Sequence, residues 1–263
     1  MTETAPSAAQ RASERRALWG QQNDDYGRTF FDRAIGHLPE MESSKATAAR
    51  LRDRVRGGDR ILDVACGAGH YLRSLRSRID VPFSYTGLDG AHRYASLGRE
   101  AFAEDLAASF VVGNAFHLPF PDAAFDIVMC NNALLHLPSI DQPVSELLRV
   151  ARRFVLVRTL VGHRSFRVQD VVTQDQEFVD GEPRDFHWYN IYSESHVRAL
   201  LGRDERVASV RVELDREYDS ARIAANAEEQ RGAPDATGLL AGWQVNGYLL
   251  LPWSFVEVDL SPD

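Results

Sequence analysis

The sequence predicts one α/β domain built on an open, doubly wound, mostly parallel sheet. Three observations carry this. A buried strand, Arg60 to Ala65, runs straight into a glycine turn, Cys66-Gly67-Ala68-Gly69, and on into a helix through Tyr71, Leu72 and Leu75. Strand and helix patterns then alternate in five units over roughly residues 59 to 162. The fifth strand, Phe154 to Val161, is nearly all apolar, as a central parallel strand covered on both faces must be.

The elements follow in order. Residues 1–10 are Ala/Ser/Thr-rich, without the apolar core of a secretion signal, and are expected to be disordered. Arg11 to Ile35 reads as helical in pieces, with a bend at Asn23 to Gly27. Ser43 or Ser44 is placed to cap a helix through Leu51 and Val55, and Gly57-Gly58 ends it. Arg50, Arg52, Arg54 and Arg56 alternate along that segment, which scatters them over several faces as a solvated exterior. Strand two is Phe83 to Leu88, followed by a helix from Ala91 to Ala107; strand three begins at Phe110, and strand four is Ile127 to Cys130. A helix closes at Val150, a long mixed insert runs from His163 to Asn190, and Tyr192-Ser193-Glu194-Ser195 caps a helix to Leu201. Val207 to Leu214 and Tyr248 to Val258 form a final β pair, separated by an irregular stretch, Arg216 to Gly247.

Composition bounds the function. A net charge of −8 and a pI near 5.5 argue against a protein that coats nucleic acid. The only cysteines, Cys66 and Cys130, fall at strand ends, so a reducing cytoplasm is expected and a disulfide framework is not. No apolar run has the length of a membrane span. A metal site from His163, Asp185 and His187 would match no ligand spacing, so no metal is expected.

The glycine turn is where a ligand belongs. Gly67 permits the sharp turn, and the missing side chain of Gly69 lets a ligand approach the backbone. A dinucleotide site requires a third glycine at position 72, which is Leu72. Asp63, inside the strand, would repel a pyrophosphate and attract a cationic amino group. Asp89 lies 22 residues beyond Gly67 and suits a ribose in either case.

Asp63-x-x-Cys66-Gly67-x-Gly69 resembles motif I of the class I S-adenosylmethionine (SAM) methyltransferases, a Rossmann-like family. Asp89, Gly113-Asn114-Ala115 with Leu118-Pro119-Phe120, and Asp126 to His136 complete an ordered set of resemblances over residues 58 to 162. The resemblance implies a seven-stranded sheet with an antiparallel last strand, a helical N-terminal cap, SAM as donor, and methyl transfer to O, N or C of a small-molecule acceptor. It implies a cofactor site of Asp63, Ala65, Gly67 and Gly69 at the methionine end, Asp89 and Gly90 at the ribose, and Asn114 and Ala115 at the adenine edge. Asn114 stands where the family carries Asp, and its carbonyl oxygen still accepts an N–H. Asn131, at the exit of strand four, completes the cofactor-binding set, on the floor between cofactor and acceptor. The Asn-Asn-Ala-Leu sequence there lacks the prolines and the aromatic of enzymes that methylate DNA bases.

His136 is the candidate general base; the other reading has it packing on the sheet or holding a backbone carbonyl. Tyr26 and Phe30 on an N-terminal lid, His187, Trp188 and Tyr189 in the insert, and Trp243 are the candidate acceptor contacts; the insert aromatics serve equally as a plug against the domain or a second subunit. Residues 1–45 are read as tail and lid and 46–263 as the domain, with inserts at about 163–190 and 216–247, acting as a monomer or homodimer without nucleic acid or membrane. Three other functions stay open: a SAM-binding protein with a non-methylating or regulatory role, a methyltransferase acting on RNA or protein, and an NAD-type nucleotide-binding module.

Overall fold

The computed structural model describes residues 16–17, 24–171, 178–179, 181–216, 237–240, 243–246 and 249–261. The main sheet contains β1 (Asp59–Val64), β2 (Phe83–Asp89), β3 (Ala108–Val112), β4 (Phe125–Asn131), β5 (Ala151–Gly162), β6 (Val207–Leu214) and β7 (Trp253–Leu260). Their order is β6-β7-β5-β4-β1-β2-β3. β1 to β5 pair in parallel, and β7 is antiparallel to both β5 and β6. The chain steps outward from β1 to β3 and then returns to the other side of β1 with β4. The carboxyl ends of β1 and β4 therefore flank the switch point, where ligands bind in such sheets.

Helices cover both faces. α1 (Asp24–Ile35), α2 (Glu42–Arg52), α3 (His70–Arg76) and α4 (His92–Ala101) lie on one side; α5 (Asp141–Val150) and α6 (Glu194–Leu201) lie on the other. Leu51, Leu72, Leu75, Tyr85, Phe154 and Phe255 fill the first interface, and Leu134, Val144, Leu147, Val197 and Leu201 the second. Leu72 is fully buried there, so the position where a dinucleotide site needs glycine carries core packing.

Several boundaries differ from the sequence reading. Asp24 to Gly27 is the first turn of α1 and not a bend, because Gly27 packs against the Tyr94 ring of α4. Arg16–Ala17 is extended, paired in parallel with Asp185–Phe186. α2 starts at Glu42 with Met41 as its N-cap; Ser44 donates back to the Met41 carbonyl, and Ser43 and Ser44 are buried against α3. α4 ends at Ala101 and not Ala107. Pro252, which lacks an N–H, splits the expected final strand. Leu249–Leu251 joins Thr237–Leu240 and Trp243–Asn246 in a small antiparallel meander where irregular chain was expected, and β7 begins at Trp253. Residues 217–236 of that stretch lie outside the described residues.

The arginine row is not a uniformly solvated face. Arg50 bonds Glu257 and Glu213 and stacks on Phe255, and Arg54 pairs with Asp259 over Phe154. One further arginine is deeper. Arg158, 4% exposed, sits in the nearly all-apolar stretch of β5 from Phe154 to Val161. Its Nε and Nη2 reach Asp215 at 2.7 and 2.6 Å, and its guanidinium lies 4.2 Å from the Trp253 ring centre. Breaking a buried pair strands the remaining charge. Arg158→Met should therefore cost about 3–5 kcal/mol in urea denaturation, and adding Asp215→Leu should recover at least part of the loss. A double variant as unstable as the single one would mean that the pair is not the source.

Candidate functional site

The reversal from β1 into α3 uses three residues in the left-handed region: Ala65 (φ 62°), Gly67 (φ 55°) and Gly69 (φ 78°). The turn is closed by side-chain acceptance. Asp89, at the end of β2, takes the Gly67 N–H on Oδ2 and the Ala91 N–H on Oδ1, both at 2.9 Å. The missing side chain of Gly69 serves packing: a Cβ there would lie 2.7 Å from the Phe110 ring. This corrects the sequence reading, in which that space admitted a ligand. A Cβ on Gly67 would lie 3.1 Å from Phe30 of α1. The Phe30 ring stacks on His70 at 4.5 Å and meets Tyr94 edge-on, which lays α1 over the turn. Tyr26 belongs to α1, and its side chain lies outside the described residues. Gly90 follows Asp89 at the β2 exit, where a Cβ would meet only the Gly113 carbonyl, at an ordinary 3.7 Å.

Two carboxyl groups are buried beside this turn. Asp63 is 1% exposed and accepts one hydrogen bond from Tyr85 Oη at 2.7 Å. Burial drives its pKa up to about 7, opposed by the Tyr85 bond and reinforced by the charge of Asp89. Asp89 is raised by burial too, against the pull of the N–H groups of Ala91, Gly67 and Gly90. Among the described residues, no arginine or lysine forms an ion pair with either carboxylate. The free thiols Cys66 and Cys130 are buried close by and are pushed up by burial.

At the β4 exit, Asn132 adopts φ 58° and donates its backbone N–H to the Arg158 carbonyl at 2.8 Å. Its Oδ1 accepts from Arg158 Nη1, and its Nδ2 donates to Tyr71 Oη at 3.1 Å. Tyr71 Oη in turn donates to Ser43 Oγ at 2.9 Å. The preceding Asn131, 6% exposed, has its Oδ1 3.5 Å from Thr47 Oγ1, while its Nδ2 is buried without a partner. Sequence reasoning named Asn131 but missed Thr47, Tyr71, Asn132 and Arg158. The one available signal was an arginine inside an apolar strand.

The insert closes on the segment after β4. His136 Nδ1 lies 2.7 Å from the Trp188 carbonyl, its ring meets Tyr189 edge-on, and burial lowers its pKa to about 3. The Asn190 backbone N–H and Nδ2 donate to the carbonyls of Leu135 and Leu137. This geometry matches the second of the two readings of His136, the one that holds a carbonyl. Trp188 carries Arg167 over its ring at 4.5 Å, and His187 is half-buried beside it. Asn114 is exposed and its Oδ1 accepts the Phe116 N–H at 2.9 Å; Ala115 is half-buried against the second core interface. Trp243 lies in the C-terminal meander, 38% exposed. Among the described residues, no three His, Cys, Asp or Glu side chains are placed to hold a metal ion.

Residues 62–154 match the family model described as a methyltransferase domain. A demethylmenaquinone methyltransferase of Shouchella clausii is 36% identical over 100 residues, which is 37% of this chain and 43% of that protein. The chain thus aligns with less than half the length of such relatives. Among solved structures, the phosphoethanolamine N-methyltransferase 2 of Haemonchus contortus in complex with SAM superposes with a TM-score of 0.61 at 14% identity, over 93% of this chain and 59% of that one. The [4+2]-cyclase SpnF superposes with a TM-score of 0.54 at 20% identity, over 84% of this chain and 80% of that one. Residues 62–154 are thus similar to a methyltransferase domain, and the chain shares its fold with these solved structures.

Proposed function

We propose that the chain binds SAM at the carboxyl ends of β1, β2 and β4 and transfers its methyl group to a small-molecule acceptor held beneath the 163–190 insert. The observation that carries this is the pair of buried carboxyls, Asp63 and Asp89, beside a turn that brings them no cationic side chain among the described residues. Such a site disfavours a pyrophosphate and favours a ligand bearing an ammonium and a sulfonium. The residues present fit SAM. Asp89 takes the Gly67 N–H on one oxygen and the Ala91 N–H on the other, with the Gly90 N–H beside them, and its remaining lone-pair capacity suits a ribose hydroxyl. Asp63 lies beneath the turn where the amino group belongs. Asn114 Oδ1 keeps one lone pair for an adenine amine beside Ala115.

Bound SAM would supply an already activated, electrophilic methyl group. The chain's own work is then placement and exclusion of water. α1 covers the turn through Phe30, which supports reading residues 1–45 as tail and lid to a domain of 46–263. His187, Trp188 and Tyr189 stand on the insert that roofs the β4 exit. The names of the sequence relatives support a small, partly apolar acceptor. The buried free cysteines favour a reducing compartment such as the cytoplasm, and no helix among the described residues is long and apolar enough to cross a membrane. A second reading keeps SAM binding without methyl transfer, and the cyclase neighbour favours it as a use of this fold.

Thermal shift and calorimetry with SAM, S-adenosylhomocysteine and NAD test the cofactor. Binding to the native state alone raises stability by about 2.7 kcal/mol at a hundredfold excess over Kd. Both sulfur ligands should shift the melting temperature and NAD should not; the reverse would overturn the reading. A gain of one methyl group by the acceptor, read by mass spectrometry, separates the two uses of SAM. Asp89→Ala should weaken SAM binding by about tenfold to a hundredfold, as expected for loss of charge-assisted hydrogen bonds.

Asp63 gives a pH signature. Its folded pKa is raised, so the stability of the protonated form is lost as pH climbs from the ordinary aspartate range through about 7. Asp63→Asn should therefore gain on wild type between pH 5 and pH 8, by roughly a few kcal/mol, while binding SAM more weakly. Parallel melting curves at the two pH values check this, and a gap that does not change with pH would refute it.

A further inference from the structure

We propose that Asn131 is the acceptor-binding donor of this site: its Nδ2 hydrogen-bonds an oxygen of the acceptor, which is an acidic hydroxyl compound of the phenol or enol class. The inference rests on the methyl-transfer reading and names its substrate class.

Asn131 ends β4 at the switch point of the sheet, two residues beyond Met129, which pairs with Asp63. It is level with Arg158 of β5 on the other side. Its side chain therefore stands between the cofactor turn and the acceptor side. Only one end of the carboxamide is engaged inside the protein, with Oδ1 facing the fully buried Thr47 hydroxyl. The other end, Nδ2, is buried and has no partner among the described residues. A buried donor left unmade costs about 1–3 kcal/mol, and native chains rarely leave one without a reason. Neighbouring polar groups do not relieve it. Tyr71, Asn132, Arg158 and Asp215 are bonded to one another in a chain. We assign the partner of Nδ2 to a ligand that offers a hydrogen-bond acceptor.

The surroundings select an anionic or readily ionised oxygen. An amine spends its single lone pair on the methyl carbon and has none left to accept from Nδ2, and attack by an aliphatic alcohol needs a group that takes its proton. His136, the histidine nearest this exit in sequence, holds the Trp188 carbonyl through Nδ1, and burial depresses its basicity to about 3. Tyr71 is raised to about 12 and bonded on both sides. A phenol or enol needs no such base, since its proton is released to solvent on ionisation. With SAM bound, the bond formed would run from that oxygen to the methyl carbon. The bond broken joins that carbon to sulfur, and its electron pair stays on sulfur. A donor at Nδ2 holds the oxyanion, and the aromatic insert covers a flat ring.

The test uses 4-nitrophenol, whose visible absorption reports its ionisation, titrated into the full chain saturated with S-adenosylhomocysteine. The complex should bind the phenolate and lower its apparent pKa. Asn131→Ala and the near-isosteric Asn131→Leu should each weaken phenolate binding by about tenfold to a hundredfold and change S-adenosylhomocysteine affinity by no more than about twofold. Thr47→Val, which leaves the carboxamide in place but frees its orientation, should weaken binding by a smaller factor and serves if the Asn131 variants do not fold. Phenolate affinity unaffected by these changes, no phenolate binding by the wild-type complex, or tighter binding of benzylamine than of the phenolate would overturn the proposal. Failure of the wild-type chain to bind S-adenosylhomocysteine would instead remove the methyl-transfer reading beneath it.

Discussion

The Asp89 carboxylate is the tie on which the site depends. β1 and β2 end side by side, with Val64 opposite Leu88, and the chain must reverse from β1 into α3 within five residues, Ala65 to Gly69. Three of those residues take left-handed dihedrals, which leaves backbone N–H groups turned inward. Asp89 accepts one of them and also the N–H that opens the segment into α4. One side chain thus fixes two strand exits relative to each other. A carboxylate is a strong acceptor for such N–H groups, but it brings a charge into a dry place. Asp63, held only by Tyr85, brings a second. The electrostatic cost is concentrated where a cationic ligand can offset it.

The β4 exit is held from two directions. From below, hydrogen bonds run from Ser43 on α2 through Tyr71 on α3 to Asn132 at the β4 exit, and on through Arg158 to Asp215. From above, His136 and the carbonyls of Leu135 and Leu137 are engaged by residues 188–190 of the insert. The short stretch from Asn131 to Leu137 is therefore placed by elements distant in sequence. A floor of this kind does not have to be ordered when a ligand arrives, which is the physical basis of catalysis by placement. Within it, the Asn131 amide stands apart as a donor not satisfied by the protein.

The sequence by itself determined the α/β class, the five parallel units and the location of the glycine turn. Those follow from local rules: apolar runs of strand length, helical periodicity, and glycine where a chain must turn sharply. It did not determine which side chains meet. Gly69 reads in sequence as room for a ligand, and only packing shows Phe110 in that space. Ser43 reads as a helix cap, and the fold turns it inward to Tyr71. His136 reads as a base because histidine titrates near neutrality, and only tertiary burial with the bond to Trp188 removes that basicity. Arg158 and Asp215 are 57 residues apart in the chain and become an ion pair because β7 is inserted between β5 and β6. Patterning fixes where elements lie because it acts over a few residues; burial, pairing and basicity are set by neighbours that only the assembled sheet brings together.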